Sequence, residues 1–219
     1  MDTYDGGVIM VYKKKWVKPL CIFTGVLIVI ATVLLILPNL LHFGYDRDIP
    51  PEEARLREQY IHAASQWMGA NWNDGSHKPI IDIYNNHSPL AQGYTVKYTD
   101  KWCATFVSTI AIQTELTMRI PTECGCQRQI GLFRDMGRWE ENDDYIPLPG
   151  DIIYYSAEGA ASKENTGWSD HVGIVCGTMG NCIKVIEGNV SGAVAVRYVF
   201  VGDPTIRGYG LPDYASNCE

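Results

Sequence analysis

From Pro19 to Tyr45 the chain contains no Asp, Glu, Lys or Arg, and Leu20 to Leu37 is almost unbroken apolar sequence. A helix across a bilayer core needs roughly 20 such residues, so residues 19–41 are expected to cross a membrane once. Lys13, Lys14, Lys15 and Lys18 stand just before the span, and the mixed charges Asp46, Arg47, Asp48, Glu52 and Glu53 follow it. The excess of Lys on one side places residues 1–18 in the cytoplasm and everything after the span outside the cell. A cleaved signal peptide and a buried soluble helix are the alternatives. The apolar core exceeds the usual length of about 7–15 residues for a signal, and no small-x-small cleavage pattern follows it.

What remains suits one globular domain, expected at 53–219 behind a short juxtamembrane linker at 42–52. With 46% hydrophobic and 20% charged residues the chain is neither disordered nor a coiled coil. Beyond residue 18 there are 14 basic and 23 acidic groups. Such a surface argues against nucleic acid as a partner. It would not be held on an anionic wall polymer by charge, so attachment falls to the membrane span.

Pro50 and Pro51 open a helical pattern that runs to about Ala70. Asn71 to Gly93 reads as loop, and a second helix follows Asp100. Strands are expected after Pro149-Gly150-Asp151: IIYY, HVGIV, IKVIEGN and VAVRYVFV. Helices first and antiparallel strands second give an α+β fold.

Two segments carry chemistry. In TDKWCATFVSTIAI, Thr99 or Asp100 is a good N-cap, which puts Cys103 in the first helical turn. There the helix dipole favours a thiolate, the nucleophilic form of Cys. A small buried Cys packing the helix is the plainer alternative. The second segment, HVGIVCGTMGNCIKVIEGNV, reads as a β-hairpin with GTMGN as its loop and Cys176 facing Cys182. In that register Gly173 opposes Val185 and His171 opposes Glu187, with Asn189 two residues further along the same face. A slip of two would set Asn189 opposite His171 instead. Either way a polar group lies beside the imidazole, as a cysteine hydrolase requires: His takes the thiol proton and its neighbour fixes the ring. A surface ion pair across two strands is the alternative.

These residues, in the order Cys, His, Glu, Asn and within WCATFVS, PLPGDIIYY, DHVGIV and VIEGN, resemble the CHAP domain of bacterial and phage peptidoglycan hydrolases. The closing GYGLPDY is similar to the end of some small members. The resemblance covers roughly Glu53 to Glu219. It implies a papain-like α+β fold and cleavage of amide bonds in murein, as an N-acetylmuramoyl-L-alanine amidase or a peptide endopeptidase. It also implies Cys103 as nucleophile, His171 as base, Glu187 as its orienting group and Asn189 as an assistant. Many members carry Gln before the nucleophile, where this chain has Trp102. Some bind calcium through an Asp-rich loop before the Cys; Gly93 to Lys101 offers only Asp100, so no metal and no cofactor are expected. A related group uses a second His as third member, and none follows His171 here.

Other features are weaker. Cys124 and Cys126 form a CxC pair, but a metal site needs two more ligands. Cys176 and Cys182 could form a disulfide across the hairpin outside the membrane. Trp102 and Trp168, flanking Cys103 and His171, are the candidates for lining a substrate groove. The expected protein is a single-pass, outward-facing cysteine hydrolase with peptidoglycan as its partner. A non-catalytic binding module and a cysteine protease with a non-wall substrate are the competing readings.

Overall fold

The computed structural model describes residues 49–157 and 167–216. The expected cytoplasmic tail and membrane span lie outside the described residues. Among the described residues no helix is long and apolar enough to cross a membrane.

Helix α1 (Pro51–Ser65) begins with Pro in its first turn, where the missing N–H costs nothing, and carries Glu52 and Glu53 there. It buries Arg57, Tyr60 and Ala64 along one face. It stops short of the expected Ala70 because the chain turns at Gly69 (φ 84°) and is captured by a strand. The Gly69 N–H donates to Val194 O at 3.0 Å, and Ala70 O accepts from Val194 N at 2.8 Å.

Helix α2 (Lys78–Asn85) lies inside the segment expected to be loop. Its signal was present: Pro79 in the first turn, then Ile80, Ile81 and Tyr84 buried on one face. The surrounding Asn, Gly and Pro masked it. Helix α3 (Cys103–Gln113) is buried at every position from Cys103 to Ala111, as befits a central helix. Its N-cap is Trp102, with no side-chain cap. Asp100, one of the expected caps, instead accepts from the Lys97 N–H and the Tyr94 hydroxyl. Helix α4 (Cys126–Asp135), also unforeseen, buries Cys126, Gln129, Ile130 and Phe133.

The strands are β1 (Trp139–Glu140), β2 (Ile152–Tyr155), β3 (His171–Met179), β4 (Cys182–Val190), β5 (Ala193–Phe200) and β6 (Ile206–Gly210). They form one sheet in the order β1-β6-β2-β3-β4-β5, antiparallel at every pairing. The α+β expectation and the four anticipated strands stand; β1 and β6 are additions. One face, with Ile152, Tyr154, Val172, Ile174 and Ile186, packs with the helices. The other gathers Ile153, Tyr155, Val175, Val185 and Val199.

At the site the β3–β4 register is the alternative one, slipped by two from the pairing of Gly173 with Val185. Ile174 pairs with Ile186 and Val175 with Val185, so Gly173 lies across from Glu187, not Val185. A bulge at Cys176 then shifts the ladder, and Met179, not Cys176, faces Cys182. The strands run on to Met179 and resume at Cys182, so the connection is Gly180-Asn181 and not a loop of five. Cys176 and Cys182 are both free thiols.

The PLPGD segment anchors α1 to the sheet. Arg57, 5% exposed, donates to Glu53 Oε1 at 2.8 Å, Asp151 Oδ1 at 2.9 Å and Pro149 O at 2.8 Å, and its guanidinium stacks 4.5 Å from the Tyr214 ring centre. Asp151 also accepts from Tyr145 and the Leu148 N–H. Removing one partner of a buried pair leaves an uncompensated charge, a cost of about 3–5 kcal/mol. Asp151→Ala is therefore expected to lower the thermal midpoint by roughly 6–20 °C at this chain length. Calorimetry of the variant checks this; an unchanged midpoint would show that Glu53 alone suffices for Arg57.

Candidate active site

Cys103 is the first residue of α3, where backbone N–H groups have no helical acceptor and the dipole is positive. The residue is buried, 4% exposed. Three groups surround it. Cys126, first residue of α4, brings its Sγ to 3.5 Å. The imidazole of His171, first residue of β3, and the Ala104 N–H lie near enough to favour its thiolate form. Donation from the Cys126 S–H, foremost, then the bond and charge of His171, hold the Cys103 thiol well below its usual range despite burial. The contrast is Cys176, where burial outweighs the Lys184 charge and the Ile186 N–H and pushes the thiol up to about 11.

His171 Nε2 donates to Glu187 Oε2 at 2.9 Å. With Nε2 so engaged, Nδ1 is the ring nitrogen left for other partners. Burial disfavours the imidazolium, but the bonds and charges of Cys103 and Glu187 outweigh it and raise His171 to about 9. Glu187 is fully buried and is itself held. Arg197 Nε lies 2.9 Å from each carboxylate oxygen and donates to Oε2. The Arg197 guanidinium sits 5.0 Å from the Tyr155 ring centre, and the Tyr155 ring lies 5.9 Å from that of His171. Tyr155, His171, Glu187 and Arg197 thus form one connected patch. Cross-strand pairing of Tyr155 with His171 and of Val185 with Arg197 sets it out on a single face of the sheet.

Two glycines allow this approach. A Cβ on Gly188 would lie 2.5 Å from Phe106 Cβ and 3.0 Å from the Trp102 ring, so Gly lets α3 rest directly on β4. A Cβ on Gly173 would meet Glu187 Cγ at 2.6 Å and Val185 Cγ1 at 2.5 Å. Gly173→Ala is expected to destabilise by about 1–3 kcal/mol through overpacking. By displacing the carboxylate it should also slow turnover by up to on the order of 10²-fold. Kinetics on the folded fraction test this; full activity would mean that Glu187 accommodates the methyl group.

Cys103, His171 and Glu187 are brought together as the sequence suggested. Asn189 is not a partner of the imidazole: it lies half-buried in the left-handed region (φ 63°), at the irregularity where the β4–β5 ladder breaks. Trp102 does not face a groove. It is fully buried, its ring under Gly188 and 5.7 Å from the His77 ring. Trp168 is 67% exposed, three residues before His171. Sequence reasoning passed over Cys126, weighed only as half of a metal pair, and Arg197. Arg197 had a legible signal, a lone cation at an alternating position of a strand next to Glu187. Among the described residues no cluster of three or more Cys, His, Asp or Glu could hold a metal ion.

No protein-family model matches the chain, and no curated protein matches it. A solved structure of an NlpC/P60 family protein from Bacillus cereus ATCC 10987 is similar, with a TM-score of 0.42 and 13% identity. The alignment covers 70% of this chain and 39% of that one.

Proposed function

We propose that this protein is a membrane-anchored cysteine amidohydrolase or endopeptidase of the CHAP type that cleaves amide bonds in peptidoglycan and remodels wall close to the membrane. What supports the reading is the line Cys103, His171, Glu187, Arg197: a thiol at a helix start, an imidazole that favours its thiolate, and a buried carboxylate holding that imidazole. A binding module has no physical need for it.

In this reading the Cys103 thiolate attacks the amide carbonyl carbon, forming the C–S bond and moving the carbonyl electron pair onto oxygen. The Cys103 N–H, without a helical acceptor, is placed to receive that oxyanion. The His171 Nδ1–H protonates the departing amine as the C–N bond breaks. His171, now neutral, takes a proton from water, which attacks the thioester and releases the acid and the thiolate. Glu187 keeps the ring in one orientation throughout, and Trp168 is a candidate wall for the substrate.

Two experiments test this. Murein incubated with the full-length protein in detergent should yield new amino groups: N-terminal L-Ala for an amidase, a stem or bridge amine for an endopeptidase. Intact murein together with cleavage of an unrelated peptide would favour a protease with a non-wall substrate. Inert murein that nonetheless retains the protein would favour a binding module. For topology, protease added to wall-stripped cells should remove a C-terminal tag and spare an N-terminal one. A shortened soluble product in the medium would show a cleaved signal instead.

A further inference from the structure

The sulfur of Cys126 forms and breaks no bond in that reaction, yet it lies 3.5 Å from the sulfur of Cys103. The contact is built into the fold. Both thiols occupy the first position of a helix, and the middle of α3 is tied to the chain just before α4. Ser108 of α3 donates to Glu123 O at 2.7 Å and accepts from Glu123 N at 2.9 Å, three residues before Cys126. Gln127, next to Cys126, accepts from the Ser169 N–H at 2.9 Å, two residues before His171. Cys126 is 8% exposed. Cys124, its neighbour in the CxC pair, turns elsewhere, towards Tyr84.

We propose that Cys103 and Cys126 are a reversible dithiol–disulfide pair, closed by peroxide and reopened by a small dithiol reductant. The sulfurs need approach only from 3.5 Å to the bonded distance of about 2.05 Å. In the first step the Cys103 thiolate attacks a peroxide oxygen. The O–O bond breaks, hydroxide leaves and is protonated to water, and Cys103 becomes a sulfenic acid. In the second step Cys126 attacks that sulfur. The S–O bond breaks, hydroxide departs and takes up the Cys126 proton as a second water, and the disulfide is formed. One peroxide is reduced and two thiols are oxidised. Closure removes the nucleophile and spares it from irreversible oxidation. That consequence, a hydrolase silenced outside the cell until reduced, rests on the function proposed above; the bond itself rests on the geometry alone.

The test uses the full-length protein in detergent, treated with hydrogen peroxide, alkylated and mapped by peptide mass spectrometry. The expected product is a Cys103–Cys126 linked peptide, lighter by two hydrogens, formed in the wild type and in Cys124→Ser and lost on adding dithiothreitol. Hydrolysis of murein should fall by on the order of tenfold or more as the link forms, and should return with reductant. In Cys126→Ser the Cys103 peptide should instead gain two oxygens, and its activity, measured against its own reduced state, should not return. Should that variant fail to fold, the wild-type and Cys124→Ser maps decide alone. Accumulation of sulfinic Cys103 in the wild type with Cys126 unlinked, or linkage of Cys103 to Cys124 or Cys176, would overturn the proposal. A correctly linked peptide in a protein that never cuts murein would uphold the sulfur pair and remove the hydrolase reading.

Discussion

Cys103→Ser is expected to reduce murein cleavage by on the order of 10⁴-fold or more while leaving the thermal midpoint nearly unchanged. The size of the loss follows from the environment. A serine hydroxyl in the same place meets the His171 imidazole and the helix dipole, but it ionises far less readily than a thiol. The fold should survive because the sulfur is replaced by a slightly smaller polar atom in a first helical turn, where a hydroxyl is accepted. Iodoacetamide at neutral pH should label Cys103 ahead of Cys176, whose thiol burial pushes up to about 11. If Cys126→Ser or Cys176→Ser abolished cleavage and Cys103→Ser did not, the nucleophile would be misassigned.

His171→Ala should cost nearly as much as losing the nucleophile, and Glu187→Gln should reveal itself in the pH profile. In the proposed reaction the active form pairs a Cys103 thiolate with a His171 imidazolium. Its rate therefore falls as pH rises through the His171 value of about 9, where the proton for the leaving amine is lost. Glu187 is one of the groups that raise that value. Exchanging the carboxylate for an amide keeps shape and an acceptor but removes the charge, so the alkaline limb should move to lower pH. The acid limb belongs to Cys103, whose largest shift comes from Cys126, and should move less. Glu187→Ala should slow turnover more than Glu187→Gln, since the ring is then also freed. Asn189→Ala should be the mildest of the set. An alkaline limb unmoved by Glu187→Gln would mean that the carboxylate does not bear on the imidazole.

The sequence alone was enough for the local features of this protein. The uncharged run from Pro19, the helix opened by Pro51, the apolar helix after Trp102 and the alternating strands after Asp151 all follow from composition and period over short stretches. So does the position of Cys103, because a cysteine at the head of a helix is a property of one contiguous segment. The pairing of His171 with Glu187 was also legible, for an instructive reason. The hairpin register was misjudged by two residues at the site, and a slip of two preserves the face on which every side chain lies. Glu187 therefore still reaches the imidazole, diagonally and not directly opposite. The register itself was not legible, because Gly177 and Gly180 each invite a turn and the choice depends on the bulge at Cys176. Trp102 looked like a groove residue from its neighbour in sequence, but the glycine at 188 draws β4 over it and buries it completely. Arg197 behind Glu187, and Cys126 beside Cys103, come from segments 10 and 23 residues away from their partners. No periodicity links such positions. Only the packing of α3 and α4 against one sheet decides that their side chains meet.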